Sequence, residues 1–306
     1  MALSQIGQFA HALRVAGLPT TDAICADGKL HRFHVEGDKL GSRNGWYWLA
    51  ESGLLGGYGC WKRGTSQKWR ANVARSLTAS ELKRQRAQVA EMRRLREQEG
   101  DAIRLKCRRR AAFICDHAPP ASPTHPYLVK KGVGVHGIAQ WRGLLVVQVA
   151  DTEHVLHGLQ FIDEKGRKNF QRGTQKCGSY HAIGPAPRSV LCVAEGYATA
   201  ATVHEATGWP VAVAFDAGNL KPVTLALRQK LPDVRIIIAA DNDTATPGNP
   251  GLTKARAAAA AVGGIVIAPR FNGRSPATDW NDYAQAYGLA PARSALLQAS
   301  KVRRGS

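Results

Sequence analysis

Four short runs of nearly unbroken apolar residues punctuate the region from Arg188 to Tyr287: SVLCVAE, PVAVAFD, VRIIIAAD and GIVIAPR. Segments with helical spacing separate them: ATAATVHEATG, NLKPVTLALRQKL and LTKARAAAAAVG. Apolar runs without alternation read as strands buried on both faces, and their alternation with helices predicts a parallel α/β sheet. Upstream the rhythm changes. LLVVQV and VLHGLQFI are followed by a basic stretch from Lys165 to Lys176, which predicts a β-rich subdomain with cations at its rim. From Thr78 to about Ile114 only Gly100 interrupts a helical pattern, and T-x-x-E at 78–81 is a capping box. Its apolar stripe (Leu82, Val89, Met92, Leu95, Ile103, Phe113) is sparse, so one long, largely solvated helix is expected. Residues 1–76 read as short strands and turns rich in glycine and aromatics, and HAPPASPTHP at 117–126 is a proline-rich break.

These shifts divide the 306 residues into five parts. They are an N-terminal β-rich domain (1–76), a basic helical connector (77–118), a basic β-rich half (119–186), an α/β domain (187–288) and a tail (289–306).

Charge sharpens this picture. Lys and Arg number 42 against 23 Asp and Glu, a formal charge of +19. Between Lys62 and Arg110 there are 16 Lys or Arg and 5 acids, so +11 of that charge falls in the helical connector and its approach. Such a balance points to nucleic acid, nucleotides or another anionic partner, and says nothing of fold. An arginine-rich helix can equally be a solvated linker. In residues 28–70, Trp46, Tyr47, Trp48, Tyr58, Trp61 and Trp69 interleave with Lys39, Arg43, Lys62, Arg63, Lys68 and Arg70. Aromatic and basic residues so mixed can stack bases and hold phosphates, or the rings can simply be a small core. No run of 18 apolar residues exists, so no membrane partner is expected, and the N-terminus does not read as a signal peptide. A cytoplasmic protein is the expectation. The six cysteines are widely spaced without a CxxC pair, so no zinc is expected.

The acids of the α/β region carry the chemistry. From Pro187 to Ser306 there are eight, and Glu195, Asp216, Asp241 and Asp243 each end a predicted strand, which places them at one edge of a parallel sheet. Asp241 and Asp243, two apart, face the same way in extended chain. Carboxylates gathered together repel one another unless a cation holds them, and a hard divalent ion with oxygen ligands meets that need. Asp216 and Asp233 read better as helix caps or turn residues, and Asp282 suits either role. Gly196 after Glu195 is expected to permit a sharp strand-to-helix turn that leaves the glutamate over the edge.

VLCVAEGYATA, AVAFDAGNL, IIIAADNDTATPGNPGLTKA and TDWNDY together resemble the toprim domain, in the version found in plasmid- and phage-encoded DNA primases. HPYLVKKGV, WRGLLVVQV and LHGLQFIDEKGRKNFQRGTQKCGSYHAIG resemble the basic N-terminal half of a primase core. GKLHRFHVEGDKLGSRNGWYWL and YGCWKRGTSQKW are similar to a degenerate zinc-ribbon module that has lost its cysteines. The resemblance implies Glu195 as general acid/base or further metal ligand, Asp241 and Asp243 as Mg²⁺ or Mn²⁺ ligands, and Asp279 as a later acid of the metal site. It implies Lys168 and Arg172, with Arg142 and Lys176, as groups that bind nucleotide or template. The aromatic and basic surface of residues 28–70, with Trp46, Trp61, Lys62 and Arg63 as nucleic-acid-binding candidates, is expected to substitute for the missing zinc module.

The implied function is synthesis of short RNA primers on single-stranded DNA from NTPs, in plasmid, phage or mobile-element replication. No G-x-x-x-x-G-K-[ST] occurs, so a separate replicative helicase is the expected partner. A metal-dependent toprim nuclease and a non-catalytic single-stranded DNA-binding accessory protein remain alternatives.

Overall fold

The computed structural model describes residues 4–72, 79–271 and 277–301. Thr78 of the capping box lies outside them. By its contacts the chain divides into two units, 1–97 and 98–306.

The first unit begins with helix α1 (Gln5–Val15), whose N-cap Ser4 accepts from the Gly7 amide at 3.1 Å. An antiparallel sheet follows, in the order β1 (Leu30–Phe33), β2 (Gly45–Leu49), β3 (Leu55–Cys60), β4 (Thr65–Arg70). Strand alternation gives it two faces. Phe33, Tyr47, Leu49 and Tyr58 pack with Phe9 and Leu13 of α1 into the core. Trp46 and Trp48 take the other face, each partly exposed. They lie across glycines of β3: a Cβ on Gly59 would stand 2.8 Å from the Trp46 ring, and one on Gly57 2.6 Å from Trp48 Nε1.

Helix α2 (Ala79–His117) runs from the first unit into the second. The second unit continues with a short helix α3 (Pro126–Lys131) and an antiparallel sheet of β5 (Ala139–Trp141), β6 (Leu144–Ala150), β7 (Leu156–Ile162) and β8 (Lys168–Phe170), in that order. Ala111 and Ile114 of α2 bury against Val146 and Leu159 of this sheet. Arg108 reaches His157 Nδ1 at 2.8 Å, and His157 Nε2 bonds Asp151 Oδ2 at 2.7 Å.

The α/β part contains β9 (His181–Ile183), β10 (Val190–Ala194), α4 (Tyr197–Thr207), β11 (Val211–Val213), α5 (Leu220–Lys230), β12 (Arg235–Ala239), α6 (Pro250–Val262), β13 (Ile265–Ile267), α7 (Trp280–Tyr287) and α8 (Leu289–Ser300). Its sheet order is β13-β12-β10-β11-β9. The four strands from β10 onward are parallel, as the apolar runs predict; β9 joins antiparallel at one edge. Alternate strand residues face opposite layers. Cys192, Ala194, Val213 and Ile237 meet α4, while Leu191, Val193, Ile236 and Ile238 meet α5 and α6. The stretch read from sequence as a tail forms α8 through Ser300, and its Leu296 is fully buried in the layer with α4.

Strand order fixes where a ligand can sit. From β10 the chain moves to β11 on one side, then returns past β10 to β12 on the other. The connections that leave β10 and β12 therefore depart to opposite faces, which opens a crevice at their carboxyl ends.

Candidate active site

Glu195 follows β10 directly, and Asp241 stands two residues past the end of β12. The register pairs Ala194 with Ala239, so the two acids leave neighbouring strands at nearly the same level. Their charges feel each other. Burial, then the carboxylates of Glu195 and Asp279, push Asp241 up to about 7, with Lys168 pulling the other way. Glu195 is also raised, chiefly by burial; the Ala217 amide, Lys168 and Lys254 partly offset this. Asp279 is the N-cap of α7 and accepts from the Asp282 amide at 2.8 Å, while Asp282 Oδ2 accepts from the Thr278 amide at 3.0 Å. T-D-W-N-D is thus a variant of the capping box, with Asp282 reaching back to the amide before the N-cap, and it orients Asp279, whose charge acts on Asp241.

The cation in this group comes from another sheet. Lys168 opens β8, and its ammonium lies 3.2 Å from where a Cβ on Gly196 would be. Solvent reaches the residue, yet protein crowded around the ammonium pulls its pKa below the usual lysine range. Asp279, Asp241 and Glu195 oppose that shift. Gly196 has ordinary extended dihedrals, φ −114° and ψ 158°. The sharp turn expected from sequence is therefore not what this glycine serves; it leaves room for the amine.

Asp243 is engaged differently. β12 ends at Ala239, and residues 241–243 lie outside any strand, so the two-residue spacing does not by itself align the aspartates. Asp243 accepts from the Thr246 amide at 3.2 Å and from the Thr246 hydroxyl. Asp216 Oδ1 caps the turn at 217–219 through the Asn219 amide, and Asp216 pairs with Lys176. The Lys176 ammonium also sits 5.8 Å from the Phe170 ring centre. Arg142 is on the β5–β6 turn at φ 51°, its guanidinium 5.8 Å from the Trp141 ring. Arg172 faces α2 across a cleft. Neither arginine is among the main charges acting on Glu195 or Asp241.

In the N-terminal unit Trp61 lies 5.9 Å from Trp46, with the Arg32 guanidinium 4.7 Å above its ring. Lys62 is held by Asp38 at 2.6 Å, and Arg63 donates to the Gly17 carbonyl at 3.0 Å.

Three further residues, unmarked by any motif, shape the site. A Cβ on Gly251 would stand 3.1 Å from the Asp241 carbonyl oxygen, so this glycine lets α6 approach the acid. Lys254 of α6 acts on Glu195. Buried Asn219 donates to the carbonyls of Lys176, Ser179 and Ala214, tying the loop of Lys176 to the end of β11. The G-N-L that follows Asp216 was the visible signal for Asn219; Gly251 and Lys254 sit in an ordinary helix start.

The arrangement suits a hard cation bound jointly by protein and phosphate. Asp241 Oδ1 is buried without a hydrogen-bond partner among the described residues, a costly state that an ion relieves. Among the described residues no three His, Cys, Asp or Glu converge into a complete cage. One or two carboxylates plus phosphate oxygens is the way Mg²⁺ is commonly held.

Comparisons with known proteins bear on the α/β part and on most of the chain. A family model described as a Toprim domain matches residues 190–290. The chain is 35% identical over 285 residues to one DNA primase TraC of Escherichia coli and 37% identical over 292 residues to another. Each match covers 88% of this chain, which spans only 27% and 20% of those relatives' lengths. The zinc binding and RNA polymerase domains of the Aquifex aeolicus primase superpose at 11% identity and a TM-score of 0.43, over 97% of this chain and 86% of that one. Strand order, the acids at the switch point and the family match together make residues 190–290 a toprim domain, within a chain similar to DNA primases TraC along most of its length.

Proposed function

We propose that this chain is the catalytic part of a DNA primase of the plasmid- or phage-encoded type, which joins NTPs into short RNA primers on single-stranded DNA. The carrying observation is the buried, unpartnered Asp241 oxygen beside Glu195, Asp279 and the Lys168 amine at the carboxyl edge of the sheet. Mg²⁺ or Mn²⁺ bound by Asp241, with Glu195 or Asp279, would neutralise triphosphate charge. Asp243, oriented by Thr246, keeps an unused lone pair on each oxygen and is a further candidate ligand.

Glu195 holds its proton more tightly than an exposed carboxylate, which suits a base that takes the proton of the attacking hydroxyl. Lys168 sits where it can clamp a phosphate, and Lys176 is held by Asp216, whose charge acts on Glu195. The outer face of the N-terminal sheet, with Trp46, Trp48, Trp61 and Arg32, offers stacking surfaces for template bases. Lys62 and Arg63 help shape that unit through their internal bonds and add positive charge. No described helix is long and apolar enough to cross a membrane. A cytoplasmic site of action beside a separate replicative helicase completes the reading.

The test is incubation with single-stranded DNA, labelled NTPs and Mg²⁺ or Mn²⁺. Short oligoribonucleotides are expected, and Asp241→Asn abolishes them. DNA shortened without NTPs would instead assign a nuclease. A gel shift with no product under any metal or template would leave only a binding module.

A further inference from the structure

The C-terminal half of α2 carries cations that the acid-lined edge does not use. Lys106 and Arg110, one turn apart, face Arg172 across a cleft of about 340 Å³ that Ile103, Cys107 and Gln171 complete. None of the three cations pairs with a carboxylate among the described residues, whereas Arg104 on the same helix is held by Asp101. The cleft has a fixed shape. Gly173, at φ +93°, lies so close to α2 that a Cβ would stand 2.9 Å from Ile103 Cγ2, and Gln171 Nε2 donates to the Cys107 carbonyl at 3.0 Å.

Farther along the helix the chemistry changes from charge to rings. Phe113 is 53% exposed, stacks on His117 at 4.2 Å and meets Trp141 edge-on at 6.3 Å. Arg142 follows, over Trp141. From Lys106 to His117 the helix rises about 16 Å. Strand β8 joins this surface to the acids. Lys168 at its start reaches them, and Arg172, two residues past its end, lines the cleft about 13 Å away along extended chain.

Unpaired cations followed by exposed rings suit a strand whose phosphates need neutralising and whose bases are free to stack. A duplex keeps its bases stacked inward and gives Phe113 nothing. We propose that the C-terminal half of α2, with Arg172, Trp141 and Arg142, is a track for single-stranded nucleic acid leading over β8 to the acid-lined edge. It deepens the priming reading by giving the template a path, but binding can be measured without the chemistry.

The experiment is fluorescence anisotropy with a labelled oligo-dT, in EDTA and without NTPs, on the full chain. The triple variant Lys106→Gln, Arg110→Gln, Arg172→Gln is expected to bind at least tenfold more weakly at moderate salt. Its slope of log K against log salt should shrink by about 2, as three lost phosphate contacts require. Phe113→Ala is expected to weaken binding about tenfold with the slope unchanged. A triple variant with wild-type circular dichroism, affinity and slope overturns the proposal. So does an equal loss for duplex and oligo-dT together with no effect of Phe113→Ala, which would mark a general anionic contact. If the triple variant does not fold, photo-crosslinking of wild-type protein to 5-iodouracil DNA decides: adducts on 106–117 or 141–142 support the track, and adducts only elsewhere overturn it. Wild-type protein that binds through the track yet makes no primer would sink the priming reading alone.

Discussion

The amine of Lys168 stands 3.2 Å from the point that a Cβ on Gly196 would occupy, although the two residues belong to different sheets. This one approach brings a cation from the β-rich half over the first turn of the toprim domain, among Glu195, Asp241 and Asp279. A methyl group on Gly196 meets only the flexible end of a lysine, and the backbone there is ordinary. Gly196→Ala is therefore expected to keep stability within about 0.5 kcal/mol while it displaces the amine. Primer synthesis should fall in Gly196→Ala and further in Gly196→Val; wild-type rates in both would remove Lys168 from the reaction.

Asp241 makes the fold pay for its site in a pH-dependent way. Its carboxyl is raised from 3.8 to about 7 in the folded chain. Below pH 3.8 both states hold the proton and no penalty exists. Between pH 4 and 7 the unfolded state releases it more readily, so the folded state loses ground, and above about 7 the penalty is complete. Asp241→Asn is expected to raise the melting temperature at pH 8, by on the order of a few kcal/mol in stability, and to change little at pH 4. Mg²⁺ should raise the wild-type melting temperature at pH 8 and leave the variant's nearly unmoved. Equal melting of the two proteins at pH 8 without metal would contradict the buried, unpartnered state of Asp241 Oδ1.

Glu205 behaves in the opposite sense. Burial opposes its ionisation, but His136 Nε2 at 2.7 Å and the Gly134 amide at 2.7 Å hold its carboxyl below the ordinary 4.5. The stability it contributes is present above pH 4.5 and disappears as pH falls through the folded value. Acid melting from pH 5 to 3 should therefore be steeper for wild type than for Glu205→Gln, by about 1 kcal/mol. Parallel curves would show that these bonds do not favour the charged form.

On the N-terminal sheet, Trp46 lies across Gly59 and beside Trp61, outside the core that Tyr47 and Phe9 share. Trp46→Ala is expected to cost little stability and to weaken single-stranded DNA binding about tenfold. Gly59→Val, which drives a side chain into Trp46 and the neighbouring strand, should unfold this unit instead. Calorimetry and anisotropy on the two variants separate the roles.

The residues themselves fixed a good deal. The apolar runs at 190–194 and 236–239 are too short for helices and rich in β-branched residues, so they read as strands buried on both faces. Acids placed just after such strands must emerge at a sheet edge, so Glu195 and Asp241 were legible as a pair of candidates. The basic run at 165–176 was legible as a cluster of charge, but not as a site. Periodicity reports how each segment meets its immediate surroundings; it carries no term for which edge meets which. Only the tertiary structure sent Lys168 to the acids and Arg172, four residues on, to α2. It likewise turned Asp243 into its own loop and brought α8 onto α4. Those outcomes depend on strand order and on contacts between segments far apart in the chain, which local pattern cannot encode.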